Sequence, residues 1–155
     1  MKHLIGVIGA GQCSDDIYEL AREAGRVIAQ KGLGLVCGGL EGVMAGAAKG
    51  CKENGGLTIG LIPQDNASYA NPYIDVVIPT GIGIMRNLLV VRSARGVLAI
   101  DGKFGTLSEI AFALQLGKPL VGLGTWEISE QMTHCESPQE AVEVLLAKMD
   151  LASFS

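Results

Sequence analysis

Short, almost wholly apolar runs that alternate with helix-period segments, most of the junctions carrying glycine, constrain this chain more than any other feature. The runs are residues 4–8, 33–37, 57–62, 75–78, 97–100 and 120–123. A strand with one wet face alternates polar and apolar residues; these do not, so both of their faces must be covered. Between them, apolar residues recur at helical spacing. Ile17, Leu20, Ala21, Ala24, Val27 and Ile28 mark a helix capped by Ser14 and stopped at Gly32, and Val43, Met44, Ala47, Ala48 and Cys51 mark a second, closed by Asn54-Gly55-Gly56. Further helices are expected over residues 85–94 and 106–116. A last one starts at Ser137-Pro138-Gln139-Glu140, which combines a cap, a first-turn proline and a glutamate three residues after the cap. Residues 63–73 read as a polar surface connection, and residues 126–136 show no period. Strand–helix alternation with two-sided burial predicts an α/β fold: one three-layer, doubly wound Rossmann-like domain over residues 1–155, with a mostly parallel sheet.

Composition narrows the function. Glycine makes up 22 of 155 residues, without a fixed period and mostly at the ends of apolar runs, which marks turns and loops. Hydrophobic residues are 48% and charged residues 18%, a balance that excludes disorder. A net charge of -4 and 5% aromatics supply neither the positive field nor the stacking rings of a nucleic-acid binder. No apolar run approaches a membrane span, and Cys13, Cys37, Cys51 and Cys135 lack disulfide or zinc spacing. A cytoplasmic protein is expected, with no nucleic-acid or membrane partner.

In doubly wound sheets, ligands bind beyond the carboxyl ends of the strands where the winding reverses. Three glycine-rich loops end strands at that edge and open helices: Gly9-Ala10-Gly11-Gln12-Cys13-Ser14, Gly38-Gly39-Leu40-Glu41-Gly42 and Asp101-Gly102-Lys103-Phe104-Gly105-Thr106. Glycine admits close backbone approach, and the amides at a helix start suit an anion. Gly9, Gly11, Ser14, Gly38, Gly39, Gly102, Lys103, Phe104, Gly105 and Thr106 are therefore candidate contacts for a phosphorylated small molecule. The second run ends in Cys37-Gly38-Gly39 and offers no acidic residue for a ribose hydroxyl pair, which argues against a dinucleotide. No Walker loop, nucleophile elbow or zinc motif is present, so neither a metal nor a redox cofactor is expected. Arg86, at a helix start, opposes the macrodipole and calls for an anionic neighbour. Glu109 is the candidate carboxylate, although Thr106-Leu107-Ser108-Glu109 also fits a capping box that would merely close a helix start.

Two segments carry a family resemblance. Cys37-Gly38-Gly39-Leu40-Glu41-Gly42-Val43-Met44 resembles the G-G-x-x-G-L-M segment of the family misnamed "lysine decarboxylase", which includes the LOG cytokinin-activating phosphoribohydrolases. Asp101-Gly102-Lys103-Phe104-Gly105-Thr106-Leu107-Ser108-Glu109 resembles its P-G-G-x-G-T-x-x-E. Asp101 and Lys103 stand where the family has proline and glycine, and Gly83-Ile84-Met85-Arg86-Asn87 replaces M-H-E-R-K. An aspartate beside a phosphate is repulsive, with Lys103 placed to offset it. The Arg86-Asn87 pair, the short chain and the segment Lys118-Pro119-Leu120-Val121-Gly122-Leu123-Gly124-Thr125 look more like a branch of this superfamily that includes molybdenum-cofactor carrier proteins.

The resemblance implies two alternatives. In the first, Arg86 and Glu109 are catalytic in hydrolysing the N-glycosidic bond of a nucleoside 5'-monophosphate. Glu109 would stabilise the cation-like sugar and orient water, and Arg86 would position substrate and Glu109. The second is a carrier or sensor that binds a phosphorylated ligand such as molybdenum cofactor without transforming it. The intact Arg86 and Glu109 tilt this reading slightly toward the enzyme; lysine decarboxylation is not expected. The resemblance further implies a homodimer or higher homo-oligomer, while Val142, Val144, Leu145, Leu146 and Met149 of the last helix are assigned to the core.

Overall fold

The computed structural model describes residues 3–153. Its strands are β1 (Leu4–Gly9), β2 (Gly34–Cys37), β3 (Thr58–Ile62), β4 (Val76–Pro79), β5 (Gly96–Ile100), β6 (Leu120–Leu123) and β7 (Thr133–His134). They form one sheet in the order β4-β3-β2-β1-β5-β6-β7, every neighbouring pair parallel. The helices are α1 (Asp15–Gln30), α2 (Val43–Glu53), α3 (Arg86–Ser93), α4 (Phe104–Gln115) and α5 (Pro138–Ser153). The chain winds outward from β1 to β4 and returns to lay β5 against β1, pairing Val7 with Leu98 and Gly9 with Ile100. The winding therefore reverses between β1 and β5, and a crevice opens beyond their carboxyl ends.

Residue alternation divides the core. Ile5 and Val7 of β1, with Leu98 and Ile100 of β5, pack with α1, α2 and α5. Ile8, Val97 and Ala99 pack on the opposite face with Val90 and Val91 of α3 and Ile110 and Ala113 of α4. Val142, Leu145 and Met149 of α5 are buried in the first cluster, with Val144 and Leu146 packed against it. Helices α1 and α2 meet backbone to backbone. A Cβ on Gly50 would lie 1.8 Å from the Arg22 carbonyl oxygen, and one on Gly25 would lie 2.0 Å from that of Ala47. That approach draws the α2 start, and with it the loop after β2, close to the loop after β1.

Most elements form where the pattern puts them. Ser14 Oγ accepts the Ile17 amide at 3.3 Å, and Ser137 Oγ accepts the Glu140 amide at 3.2 Å. Three features differ. The unassigned stretch contributes β7, a two-residue strand held by its pairing to β6, for which no local periodicity is needed. A 3-10 turn at Gly83–Met85 precedes α3, so Arg86 opens that helix. Helix α4 begins at Phe104, with Lys103 as its cap, so Thr106 and Glu109 lie inside the helix and the capping-box reading of Glu109 fails. The cause is the turn before it. Asp101 (φ 53°) and Gly102 (φ 99°) are left-handed, and the Thr106 side chain fills the space where a Gly102 Cβ would stand 2.1 Å from Oγ1. No helix among the described residues is long and apolar enough to cross a membrane.

Candidate functional site

The crevice between β1 and β5 holds a cavity of about 460 Å³. Its walls come from the loop after β1 (Gly9, Ala10, Gly11, Gln12), Met44 of α2, Ile84 in the 3-10 turn, Arg86 and Asn87 of α3, and Lys103, Gly105, Thr106 and Glu109 around the start of α4. The loops interlock. The Val43 amide donates to the Ala10 carbonyl at 2.9 Å, and a Cβ on Gly42 (φ 64°) would lie 2.2 Å from that same oxygen. Asn71 donates through Nδ2 to the Leu40 carbonyl at 2.7 Å and through its amide to that of Gly39 at 2.9 Å. Helices α2, α3 and α4 start without a side-chain cap; the first amide of α2 goes to Ala10 and that of α3 to the preceding 3-10 turn, while the start of α4 faces this edge.

Among the sequence candidates, Gly9, Gly11, Arg86, Lys103, Gly105, Thr106 and Glu109 line the cavity. Ser14 is occupied in capping α1. Gly38 packs under the Arg86 guanidinium, Gly39 packs on Ile62 and Gly60, and Gly102 packs beneath Thr106. Phe104 stands at the rim, 78% exposed, between two lining residues. Asp101 is not part of the wall; its carbonyl accepts Thr125 Oγ1 at 2.7 Å. Ala10, Gln12, Met44, Ile84 and Asn87 line the cavity without having been candidate contacts. Ala10 and Gln12 carried a signal as members of the first glycine loop, and Asn87 as a polar residue beside Arg86.

Arg86 is 8% exposed and largely used by the protein itself. Nε donates to the Leu61 carbonyl at 2.9 Å, one terminal nitrogen to Asn87 Oδ1, and the other to the Gly38 carbonyl at 3.4 Å. The anionic neighbour expected of this arginine is thus largely replaced by acceptors of β3, the β2 loop and Asn87. Asn87 passes the connection on: its Nδ2 donates to Ser108 Oγ at 3.2 Å, and that hydroxyl donates to the Gly105 carbonyl at 2.6 Å. A hydrogen-bonded chain therefore couples Arg86 to the first turn of α4.

Glu109, 7% exposed, is pushed up to about 8 by burial, against the opposing pull of Arg86. That shift favours the carboxylic acid over the carboxylate, a form that lowers repulsion of an anion in the cavity. Burial likewise lowers the pKa of Arg86, with Glu109 and Cys37 working the other way. Lys103 is the exposed cation of the wall. Chemically, the crevice offers main-chain amides, one ammonium, one guanidinium with three of its five N–H donors already taken by the protein, and one carboxyl pushed toward its neutral form.

The chain from residue 2 to residue 151 matches the model of the SLOG cluster4 family. The chain belongs to that family. A curated but uncharacterized protein of Archaeoglobus fulgidus is 41% identical over 92% of this chain and 94% of its own length. The solved molybdenum cofactor binding protein of Rippkaea orientalis superposes with a TM-score of 0.90 at 33% identity, covering 96% of this chain and 98% of that one. The molybdenum cofactor carrier protein of Chlamydomonas reinhardtii gives 0.84 at 34% identity, over 94% and 99%. A cytokinin riboside 5'-monophosphate phosphoribohydrolase of Mycobacterium tuberculosis is 32% identical over 72% of this chain and 64% of its own. The LOG-like family and the Rossmann-like fold expected from the sequence are both borne out.

Proposed function

We propose that this protein binds a phosphorylated small molecule in the β1–β5 crevice and acts as a carrier, with a phosphorylated pterin of the molybdenum-cofactor type as the ligand class. The observation that carries this reading is the state of the two residues that would have to be catalytic. Arg86 commits three of its five N–H donors to the protein's own acceptors, and burial pushes Glu109 up to about 8, toward its protonated form. Such a wall suits retention of an anion more than it suits stabilising a sugar cation, which needs an ionised carboxylate. Near full-length likeness to two molybdenum-cofactor-binding proteins supports the same ligand class. In this reading the amides of Gly9 to Gly11 and of the first turn of α4 take the phosphate, and Lys103 adds the ammonium.

The test is native mass spectrometry of the protein purified from cells grown with molybdate. A stoichiometric pterin phosphate, released on unfolding, supports the carrier; a consistently empty protein that also fails to take up such a ligand contradicts it.

One observation favours a second reading, a nucleoside 5'-monophosphate phosphoribohydrolase. Arg86 and Glu109 do line one cavity, and the mycobacterial relative carries that activity in its name. An enzyme working through ionised Glu109 would release free base from AMP or another monophosphate at a rate that rises as pH passes about 8, the value to which burial pushes this carboxyl. Absence of base at every pH, with saturable binding, assigns the protein to the carrier class. We also propose a homo-oligomer, which light scattering at micromolar concentration tests; a monomer contradicts it.

A further inference from the structure

The cavity accounts for a phosphate but not for the uncovered aromatic ring beside it. Phe104 is 78% exposed, more than any other large apolar side chain in the described structure. It does not stand alone, because the Trp126 indole stacks on it with ring centroids 6.2 Å apart and planes inclined by 30°. That distance falls in the usual range for offset stacking. The indole is held in place, since its Nε1 donates to the Lys103 carbonyl at 3.0 Å, while Thr125 Oγ1 ties the adjoining loop to Asp101. Lys103 and Gly105, on either side of Phe104, both line the cavity. Ile84, another wall residue, is 69% exposed and extends the apolar rim.

We propose that Phe104, backed by Trp126, is the residue on which the planar ring of the phosphorylated ligand stacks. This rests on the reading that the cavity takes the phosphate. A ring supported from behind by a fixed indole is ordered before the ligand arrives, and stacking is indifferent to the hydrogen-bonding edges of the incoming ring. Selectivity among rings would then come from the polar wall, and selectivity for a ring over none from Phe104.

Trp126 is the only tryptophan of the chain, so its emission reports on this subsite directly. The full-length protein is titrated with GMP and with ribose 5-phosphate, by calorimetry and by tryptophan fluorescence, alongside the variants Phe104→Leu and Trp126→Phe. GMP is expected to change Trp126 emission saturably, whereas ribose 5-phosphate occupies the same cavity, competes with GMP and leaves the emission nearly unchanged. Phe104→Leu is expected to weaken GMP about tenfold, the scale of losing one stacked ring, and ribose 5-phosphate less than about twofold. Trp126→Phe, which keeps a supporting ring, should retain most of the GMP affinity. Equal affinities for the two probes, unmoved by Phe104→Leu, overturn the stacking subsite while leaving the phosphate site standing. Failure of both probes to bind removes the phosphate reading and the subsite with it. Loss of an oligomer in Phe104→Leu with the GMP preference intact gives this face to a second copy of the chain and also overturns the proposal.

Discussion

At the residue scale, Arg86 and Lys103 are both cations of the cavity wall, yet they do opposite jobs. Arg86 holds together the Leu61 carbonyl, the Gly38 carbonyl and Asn87. A lysine cannot span that fork, and each buried acceptor left unmet costs about 1–3 kcal/mol. Arg86→Lys is therefore expected to lower the melting temperature by several degrees. Lys103→Met should leave the melting temperature alone and weaken phosphate ligands by about tenfold, the worth of one charged hydrogen bond. Calorimetry and thermal melts on the two variants separate the roles; the reverse pattern would exchange them. Glu109 gives a pH signature. Its folded pKa is raised from the ordinary 4.5 to about 8, so between those values the unfolded state ionises while the folded state keeps its proton. Stability must fall as pH rises through that window, by up to about 1.4 kcal/mol per unit from this group. Glu109→Gln removes that slope, and denaturant titrations at pH 5, 7 and 9 measure it; a slope unchanged in the variant would mean that Glu109 ionises normally.

At the element scale, the α1–α2 contact sets where the cavity loops stand. Gly50→Ala gains helix propensity of up to about 1 kcal/mol but places a Cβ 1.8 Å from the Arg22 carbonyl oxygen, so the helices must separate. The net expectation is a loss of about 1–3 kcal/mol, the scale of overpacking, read as a lower denaturation midpoint with an unchanged fold by circular dichroism. Strand and helix alternation, the caps at Ser14 and Ser137, and the three glycine loops were legible because each is set by neighbours close in sequence. The start of α4 was not. Thr106-Leu107-Ser108-Glu109 satisfies the local capping pattern, but the left-handed pair Asp101-Gly102 and the packing of Thr106 over Gly102 begin the helix two residues earlier. The engagement of Arg86 by the protein's own acceptors was equally hidden, since two of them lie 25 and 48 residues away in sequence. Strand β7 needs only its partner, and two residues carry no period.

At the scale of the whole molecule, a chain of net charge -4 turns main-chain amides and Lys103 toward one crevice at the point where its sheet reverses. Burial pushes Glu109 toward its neutral form, which reduces the crevice's opposition to an anion, and its ionisation should weaken the site. Affinity for a phosphate ligand is accordingly expected to fall above about pH 8 in the native protein and to fall less in Glu109→Gln. The measurement that reaches the central claim most directly is a calorimetric comparison of GMP with guanosine, which differ only by the phosphate. Saturable binding of GMP at one site per chain is expected, with guanosine at least about tenfold weaker and the gap narrowed by Lys103→Met. Equal binding of the two, or a gap that Lys103→Met leaves untouched, would contradict a phosphate site in this crevice.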